Sequence, residues 1–347
     1  MTYIVLGGSL AIGLVVLYAA FFRPDVTTVQ RGFKGIGMEL NVNRATAKMQ
    51  AEKNQMPEPL PAVPLEGPRA GDIYQNVQVL GNLSVAQFGR MMNAYSLWVA
   101  GNANNCAYCH NVNNMASDEV YTKVVARKMT QMTQNINQNW TSHVGATGVT
   151  CYTCHRGNGI PEYVWWSGRP GPNEYTYGLG SNAQQNAPAE SVGLASLPGD
   201  PFSSFLMGDR NIGVAGSEAL PHGNRSSIKQ TEWTYGLMMH FSNALGVNCT
   251  YCHQSRAFKM WNQSPPPRAT AWYGIRMVRE VNNKYIGYLQ ENEIYPADTY
   301  PDDELPKANC MTCHQGVYKP LLGAPMLNDY PSLKELPPKD EVSLASP

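Results

Sequence analysis

The residues of this 347-residue chain best equipped for chemistry lie in one repeated pentapeptide. It reads Cys106-Ala-Tyr-Cys109-His110, Cys151-Tyr-Thr-Cys154-His155, Cys249-Thr-Tyr-Cys252-His253 and Cys310-Met-Thr-Cys313-His314. C-x-x-C-H is the attachment signature of a c-type haem. Its two thiols add to the haem vinyl groups, and the adjoining imidazole lies under the iron as proximal ligand. The four motifs account for all 8 cysteines. Zinc ribbons also use paired thiols, but zinc gives no reason for a histidine after every second cysteine. One C-x-x-C can be a thioredoxin-like redox pair; four cannot, and ordinary disulfides place no demand on the next residue. The spacing therefore predicts four covalently bound haem c groups, with His110, His155, His253 and His314 on the irons.

The sixth ligand decides what each iron does. Methionine raises the haem potential, histidine lowers it by comparison, and an open position admits substrate. The chain has 16 methionines, so most of them are packing. Met91 and Met92 precede the first motif, and Met238 and Met239 precede the third, each pair on a helical stretch. Neighbours on a helix project about 100° apart, so one of each pair at most faces a given iron. Met129 lies on the helical stretch after the first motif, with Met132 about one turn along. Met277 occupies the corresponding place in the second half. Repeat logic alone assigns Met129 and Met277 to the second and fourth irons. The histidines outside the motifs are His143, His222 and His240; for an isolated spare histidine, packing or surface is the expected role.

The positioning elements follow a duplicated pattern. Ser84-Val-Ala-Gln87 is a capping box opening the helix that carries Met91 and Met92. Longer helical stretches are expected near Ser117 to Asn137 and Thr270 to Leu289. The second and fourth motifs share Thr-Cys-His, followed by Arg156-Gly157 or Gln315-Gly316. The expected fold is mainly α with extensive coil: a multihaem cytochrome c of two duplicated two-haem units behind one N-terminal transmembrane helix. Gly 31 and Pro 25 account for the coil. Each porphyrin supplies an apolar plate for helices to clamp, and no stable fold is expected without it. The expected divisions are an anchor (1–23), a Pro-rich extended strap (24–70), a first two-haem unit (71–165), a loop-rich connection (166–230), a second unit (231–325) and a tail (326–347).

Tyr3 to Phe22 has no charged side chain and is long enough to span a bilayer as a helix. No basic residue precedes it, and Leu17-Tyr18-Ala19-Ala20-Phe21 is a poor signal cleavage site, so an uncleaved anchor is expected. Arg23, Arg31 and Lys34 follow it and by charge alone favour a cytoplasmic C-terminal side. Haem c is attached outside the cytoplasm, and long domains translocate largely regardless of nearby charge, so the bulk should be periplasmic. A formal charge of +0 gives no field for nucleic acid.

The chain resembles the tetrahaem cytochrome c subunit of purple-bacterial photosynthetic reaction centres. The resemblance lies in Val79-Leu-Gly-Asn-Leu83, Val124-Val-Ala-Arg127, Asn139-Trp-Thr141 with His143, and Gly148 to Gly157. It continues through Leu237-Met-Met239, Gly274-Ile-Arg-Met-Val-Arg279, Cys313 to Val317 and Lys319-Pro-Leu321. It implies iron pairs His110 with Met92, His155 with Met129, His253 with Met238, and His314 with His143. The last pair overrides repeat logic and returns Met277 to packing; Met91 and Met239 are the rivals to their neighbours. Many members carry a lipid-modified N-terminal cysteine, for which this chain has no cysteine outside its haem motifs. The resemblance further implies a single-pass subunit of the photosynthetic inner membrane, with its haem domain periplasmic. It would re-reduce the bacteriochlorophyll special pair held by the L and M subunits, near a light-harvesting ring. A soluble cytochrome c or high-potential iron-sulfur protein would be its donor. Such a chain is an electron carrier rather than an enzyme. The alternatives are a multihaem c-type reductase and a membrane-anchored respiratory electron conduit.

Overall fold

The computed structural model describes residues 2–21, 25–30, 38–102, 105–167, 188–214, 228–300 and 303–334. It is mainly helical with long coil. Helix α1 (Thr2–Phe21) is followed by an antiparallel hairpin, β1 (Val26–Gln30) with β2 (Glu39–Asn43). Next come α2 (Arg44–Lys53), α3 (Ala70–Ile73), α4 (Val85–Val99), α5 (Tyr121–Asn139), α6 (Thr141–Val144) and α7 (Cys151–His155). After the connection come α8 (Ile228–Leu245), α9 (Pro267–Glu280), α10 (Gly287–Glu291) and α11 (Cys310–His314). The short strands β3 (Val164–Trp165) and β4 (Lys307–Ala308) pair antiparallel across the two halves.

Helix α4 begins as its sequence expects. Ser84 Oγ accepts from Gln87 N at 3.2 Å, and Gln87 Oε1 accepts from Ser84 N at 3.1 Å. Met91, Ala94 and Trp98 fall on one face and are buried with Leu80, Leu83, Leu321, Met326, Leu327, Tyr330 and Leu333. The segment near the C-terminus thus closes the core of the first half, with Trp98 edge-on to Tyr330 at 4.6 Å. A second core joins Ile136 and Trp165 to Phe202, Phe205 and Leu206 of the connection and to Leu237, Ile275, Met277, Val278 and Val281.

Within the stretch expected to be extended, Arg44–Lys53 is helical because Asn43 Oδ1 caps Thr46 N at 3.1 Å and no proline interrupts it. The helix expected from Ser117 begins instead at Tyr121. The carbonyls of Met115, Ala116 and Ser117 all accept from Lys123 Nζ, which holds that turn away from the helix. Helix α9 runs through a π turn (Val281–Ile286) into α10, covering the expected second long helix.

The two halves share a clamp. Asn137 Nδ2 donates to Val149 O (2.8 Å) and its Oδ1 accepts from Val149 N (2.7 Å). Asn282 does the same to Ala308, at 3.0 and 2.8 Å. Val149 and Ala308 each lie two residues before the cysteine that opens an even-numbered motif. Each amide also reaches a wrapping segment, Leu333 O for Asn137 and Leu206 O for Asn282.

Helix α1 is 20 residues long, and its described large apolar side chains (Leu10, Ile12, Leu14, Val15, Val16, Leu17, Tyr18 and Phe21) are exposed. Among the described residues no helix is long and apolar enough to cross a membrane. Of the expected span, the side chains of residues 3–7, 19 and 20 and all of Phe22 lie outside the described residues.

Asn282, at 1% exposure, bonds both the N–H and the C=O of Ala308, and Asn282→Ala removes both contacts. A loss of about 1–3 kcal/mol is expected, read as a lower Tm of the holoprotein. An unchanged Tm would contradict the clamp.

Candidate haem-binding sites

The four motifs adopt two geometries. The first and third are single 3₁₀ turns, Cys106–Tyr108 and Cys249–Tyr251. The second and fourth are the short helices α7 and α11, with Thr153 and Thr312 in capping boxes at their starts. Each of these two helices ends on a left-handed residue, Arg156 (φ 52°) or Gln315 (φ 48°). The following glycine donates its N–H to the helix carrying the methionine pair, Gly157 to Trp98 O and Gly316 to Ala244 O, both at 2.8 Å.

All four motif histidines are oriented alike. In the tautomer that donates from Nδ1, each has a backbone carbonyl as acceptor. His110 meets Met115 O at 3.1 Å and His253 meets Phe258 O at 2.8 Å, both five residues on. His155 meets Asn158 O at 2.8 Å and His314 meets Val317 O at 3.0 Å, both three residues on. A donated Nδ1–H leaves the Nε2 lone pair as the metal-facing atom. Burial lowers the pKa of His155 and His253 and pushes His314 down to about 4, so these rings stay neutral and able to ligate. This is the donor set that a haem iron requires, and the residues fit the group.

His143 meets the same description. Its Nδ1 lies 2.9 Å from Thr270 O, and burial lowers its pKa. Its ring faces that of His314 across the two halves, with centroids 6.0 Å apart and planes at 70°. Two metal–nitrogen bonds of about 2 Å each, with the ring radii, fill roughly that gap. The ring lies against Gly274 of α9, where a Cβ would come within 2.5 Å of His143 Cε1.

Met91 is 2% exposed inside the first core, whereas Met92 is half-buried at its margin. Met129 is half-buried on α5, which packs on α7 of the second motif. Met238 is half-buried against the second core, and Met239 packs on Ala189, Val192 and Leu197. Met277 is buried inside the second core, beside Ile275 and Val278. His240 is buried too; its Nδ1 lies 2.9 Å from Ser191 O, and its Nε2 has no hydrogen-bond partner among the described residues. His222 lies outside the described residues.

Cys106, Cys109, Cys151, Cys249, Cys252 and Cys310 are free thiols. Burial raises Cys109, lifts Cys252 to about 11 and lifts Cys151 and Cys310 to about 12, so these four remain protonated at neutral pH. Cys154 and Cys313 are joined as a disulfide, with Cα atoms 4.5 Å apart. A sulfur in a disulfide cannot also form a thioether, so haem attachment at these two motifs requires the reduced pair. The contact brings the second and fourth motifs side by side.

What sequence reasoning missed is the supporting layer: Asn137, Asn282, Gly274, and Asn54 of the strap. Asn54 donates to Gln315 O at 3.1 Å and accepts from Arg156 Nη2 at 3.1 Å. It thereby joins the two left-handed corners.

Attachment motifs with oriented imidazoles, on a mainly helical scaffold with long coil, define a c-type cytochrome that binds haem covalently. A family model described as "Photosynthetic reaction centre cytochrome C subunit" matches residues 22–334. The chain is 50% identical over 331 residues to the photosynthetic reaction center cytochrome c subunit of Rubrivivax gelatinosus, covering 95% of this chain and 89% of that one. It is 48% identical to the subunit so named from Thermochromatium tepidum (89% and 76% covered) and 40% identical to that of Roseobacter denitrificans (89% and 86%). The chain belongs to the photosynthetic reaction-centre cytochrome c subunit family.

Gly274→Ala should displace the His143 ring relative to His314. The low-spin ferric signal of one haem should change in electron paramagnetic resonance while the rest keep theirs; an unaltered spectrum would contradict the close approach.

Proposed function

We propose that this chain carries electrons through four covalently bound haem c groups to the photo-oxidised bacteriochlorophyll special pair of a reaction centre. The observation that carries the reading is the shared setting of four motif imidazoles, each with Nδ1 on a backbone carbonyl, which makes Nε2 the metal-facing atom. When bound, the haem supplies reversible one-electron chemistry at its iron. The chain's own residues do the rest. Cys106 with Cys109, Cys151 with Cys154, Cys249 with Cys252, and Cys310 with Cys313 hold the macrocycles. His110 with Met92, His155 with Met129, His253 with Met238, and His314 with His143 hold the irons. The burial of Met91 in the first core favours Met92, and the facing rings of His143 and His314 favour a bis-histidine fourth site. The side-by-side second and fourth motifs would bring the haems they hold next to one another.

The chain forms no substrate bond, so it works as an electron carrier within an assembly. Its partners are the L and M subunits with their special pair, a nearby light-harvesting ring, and a soluble periplasmic cytochrome c or high-potential iron-sulfur protein as donor. The matched Asn clamps and motif geometries support an internally duplicated two-haem unit. The uncharged run Tyr3 to Phe22 in the sequence supports a single-pass anchor, and the haem-attachment motifs support a periplasmic haem domain.

The decisive experiment is flash excitation of membranes containing the chain. Haem oxidation should follow each flash, and pyridine haemochrome titration should return four haems per chain. A haem count below four, or haems that stay reduced while the special pair remains oxidised, would refute the reading. Histidine is the lower-potential ligand, so His143→Met should raise one haem potential and leave three nearly unchanged in a redox titration. Four unchanged potentials would remove His143 from the iron.

A further inference from the structure

The described charged side chains at 8% exposure or less include Lys123, on the first turn of α5. Its ammonium donates to Met115 O at 3.0 Å, Ala116 O at 2.9 Å and Ser117 O at 2.8 Å. It also pairs with Asp118 Oδ1 at 3.1 Å. Asp118 is shared: Arg127 grips it with two nitrogens, at 2.8 and 2.9 Å, and Asn76 Nδ2 donates to it at 2.9 Å. Those partners hold the Asp118 carboxyl well below the ordinary carboxylate range, so it stays ionised. Two cations and one carboxylate leave the cluster with one net positive charge.

The cluster touches the first motif through one atom. Met115 O is the carbonyl set to accept from His110 Nδ1 at 3.1 Å, and the same oxygen accepts from Lys123. The second half has a geometric counterpart, with Arg268 Nη1 donating at 3.2 Å to Phe258 O, the partner of His253.

We propose that Lys123 positions the His110 ring and, as a buried cation sharing Met115 O with it, makes the iron at His110 easier to reduce. The inference rests on the reading of His110 as an iron ligand. Two effects act in the same direction. A fixed positive charge in a water-poor site favours the form of the haem that has gained an electron. Lys123 also draws on the Met115 carbonyl lone pairs, so that oxygen pulls less on the His110 N–H. The imidazole keeps less anionic character and stabilises ferric iron less. Lys123 touches no reacting atom and acts through His110 and the field.

The test uses the full chain in its membrane complex, with the haems titrated spectroelectrochemically in wild type, Lys123→Met, Lys123→Arg and Asp118→Asn. In Lys123→Met, one haem should show a roughly tenfold lower ferrous-to-ferric ratio at a fixed ambient potential, a fall of about 59 mV for one electron. The other three should shift by less than about twofold. Lys123→Arg should restore most of the loss, because a guanidinium keeps the charge and can reach the same carbonyls. Asp118→Asn leaves the ammonium and removes its counter-charge, so the same haem should become easier to reduce. This opposite sign keeps the inference testable if Lys123→Met does not accumulate. Unchanged potentials with a full haem count overturn the role of Lys123 alone. A uniform fall in all haems, a loss that arginine does not rescue, or a fall in Asp118→Asn also overturns it. A short haem count in the wild type instead overturns the reading on which it rests.

Discussion

An imidazole can ligate iron predictably only if one of its nitrogens is already committed elsewhere. In this chain the commitment is a hydrogen bond from Nδ1 to a main-chain carbonyl, made by His110, His155, His253, His314 and His143. A net worth of about 1 kcal/mol per bond adds little to stability, but outer-shell contacts of this kind govern how well a ring holds metal. The demand on the fold is that a carbonyl stand at the right place beside each ring. The odd motifs meet it with a loop that returns five residues later. The even motifs meet it with a left-handed corner at Arg156 or Gln315, which turns the chain back within three. Asn54, Asn137 and Asn282 then hold those corners and the segments leading to the motifs.

This division explains what could be read from the sequence. The motifs state their chemistry outright, because thiol spacing and the adjoining imidazole are fixed by the porphyrin. The start of α4 was legible because a capping box is a local pattern. The asparagine clamps were not, because Asn137 and Asn282 stand at unequal sequence distances from Val149 and Ala308, which they grip, and so leave no shared spacing. The helix in the strap was hidden by the prolines after it, although Asn43 is a sound N-cap residue. The delayed start of α5 depends on Lys123 folding back onto three carbonyls, a contact that no helical pattern encodes. Repeat logic places Met277 on α9, where its side chain is buried inside the second core.

The scaffold also governs the electrical environment. Apolar cores in both halves and the buried His314 ring limit water at the fourth motif, and Lys123 is itself buried near the first, so such charges act with less screening than at the surface. With a formal net charge of +0 over the whole chain, local clusters set the field where it matters. Lys123 with Asp118 and Arg127 is one such cluster. Lys307 with Glu304, both largely buried just before the fourth motif, is internally balanced and leaves no net charge there. Similar attachment motifs can therefore work at different potentials without any change in their own five residues.

Gly274 shows how the two halves become one unit. A side chain at that position would occupy the space of the His143 ring. With none, α6 of the first half lies against α9 of the second, and Thr270 O receives the ring nitrogen. His143 then stands opposite His314, a residue 171 positions further along the chain by subtraction of their numbers. A methionine from α9 would have kept the fourth site within its own half, and the halves could then move relative to one another. On the proposed pairing of His143 with His314, a ligand drawn from the first half makes that motion break a ligand bond. Since tunnelling between redox centres is sensitive to their separation, fixing the halves through the site itself guards the spacing on which the proposed electron path depends.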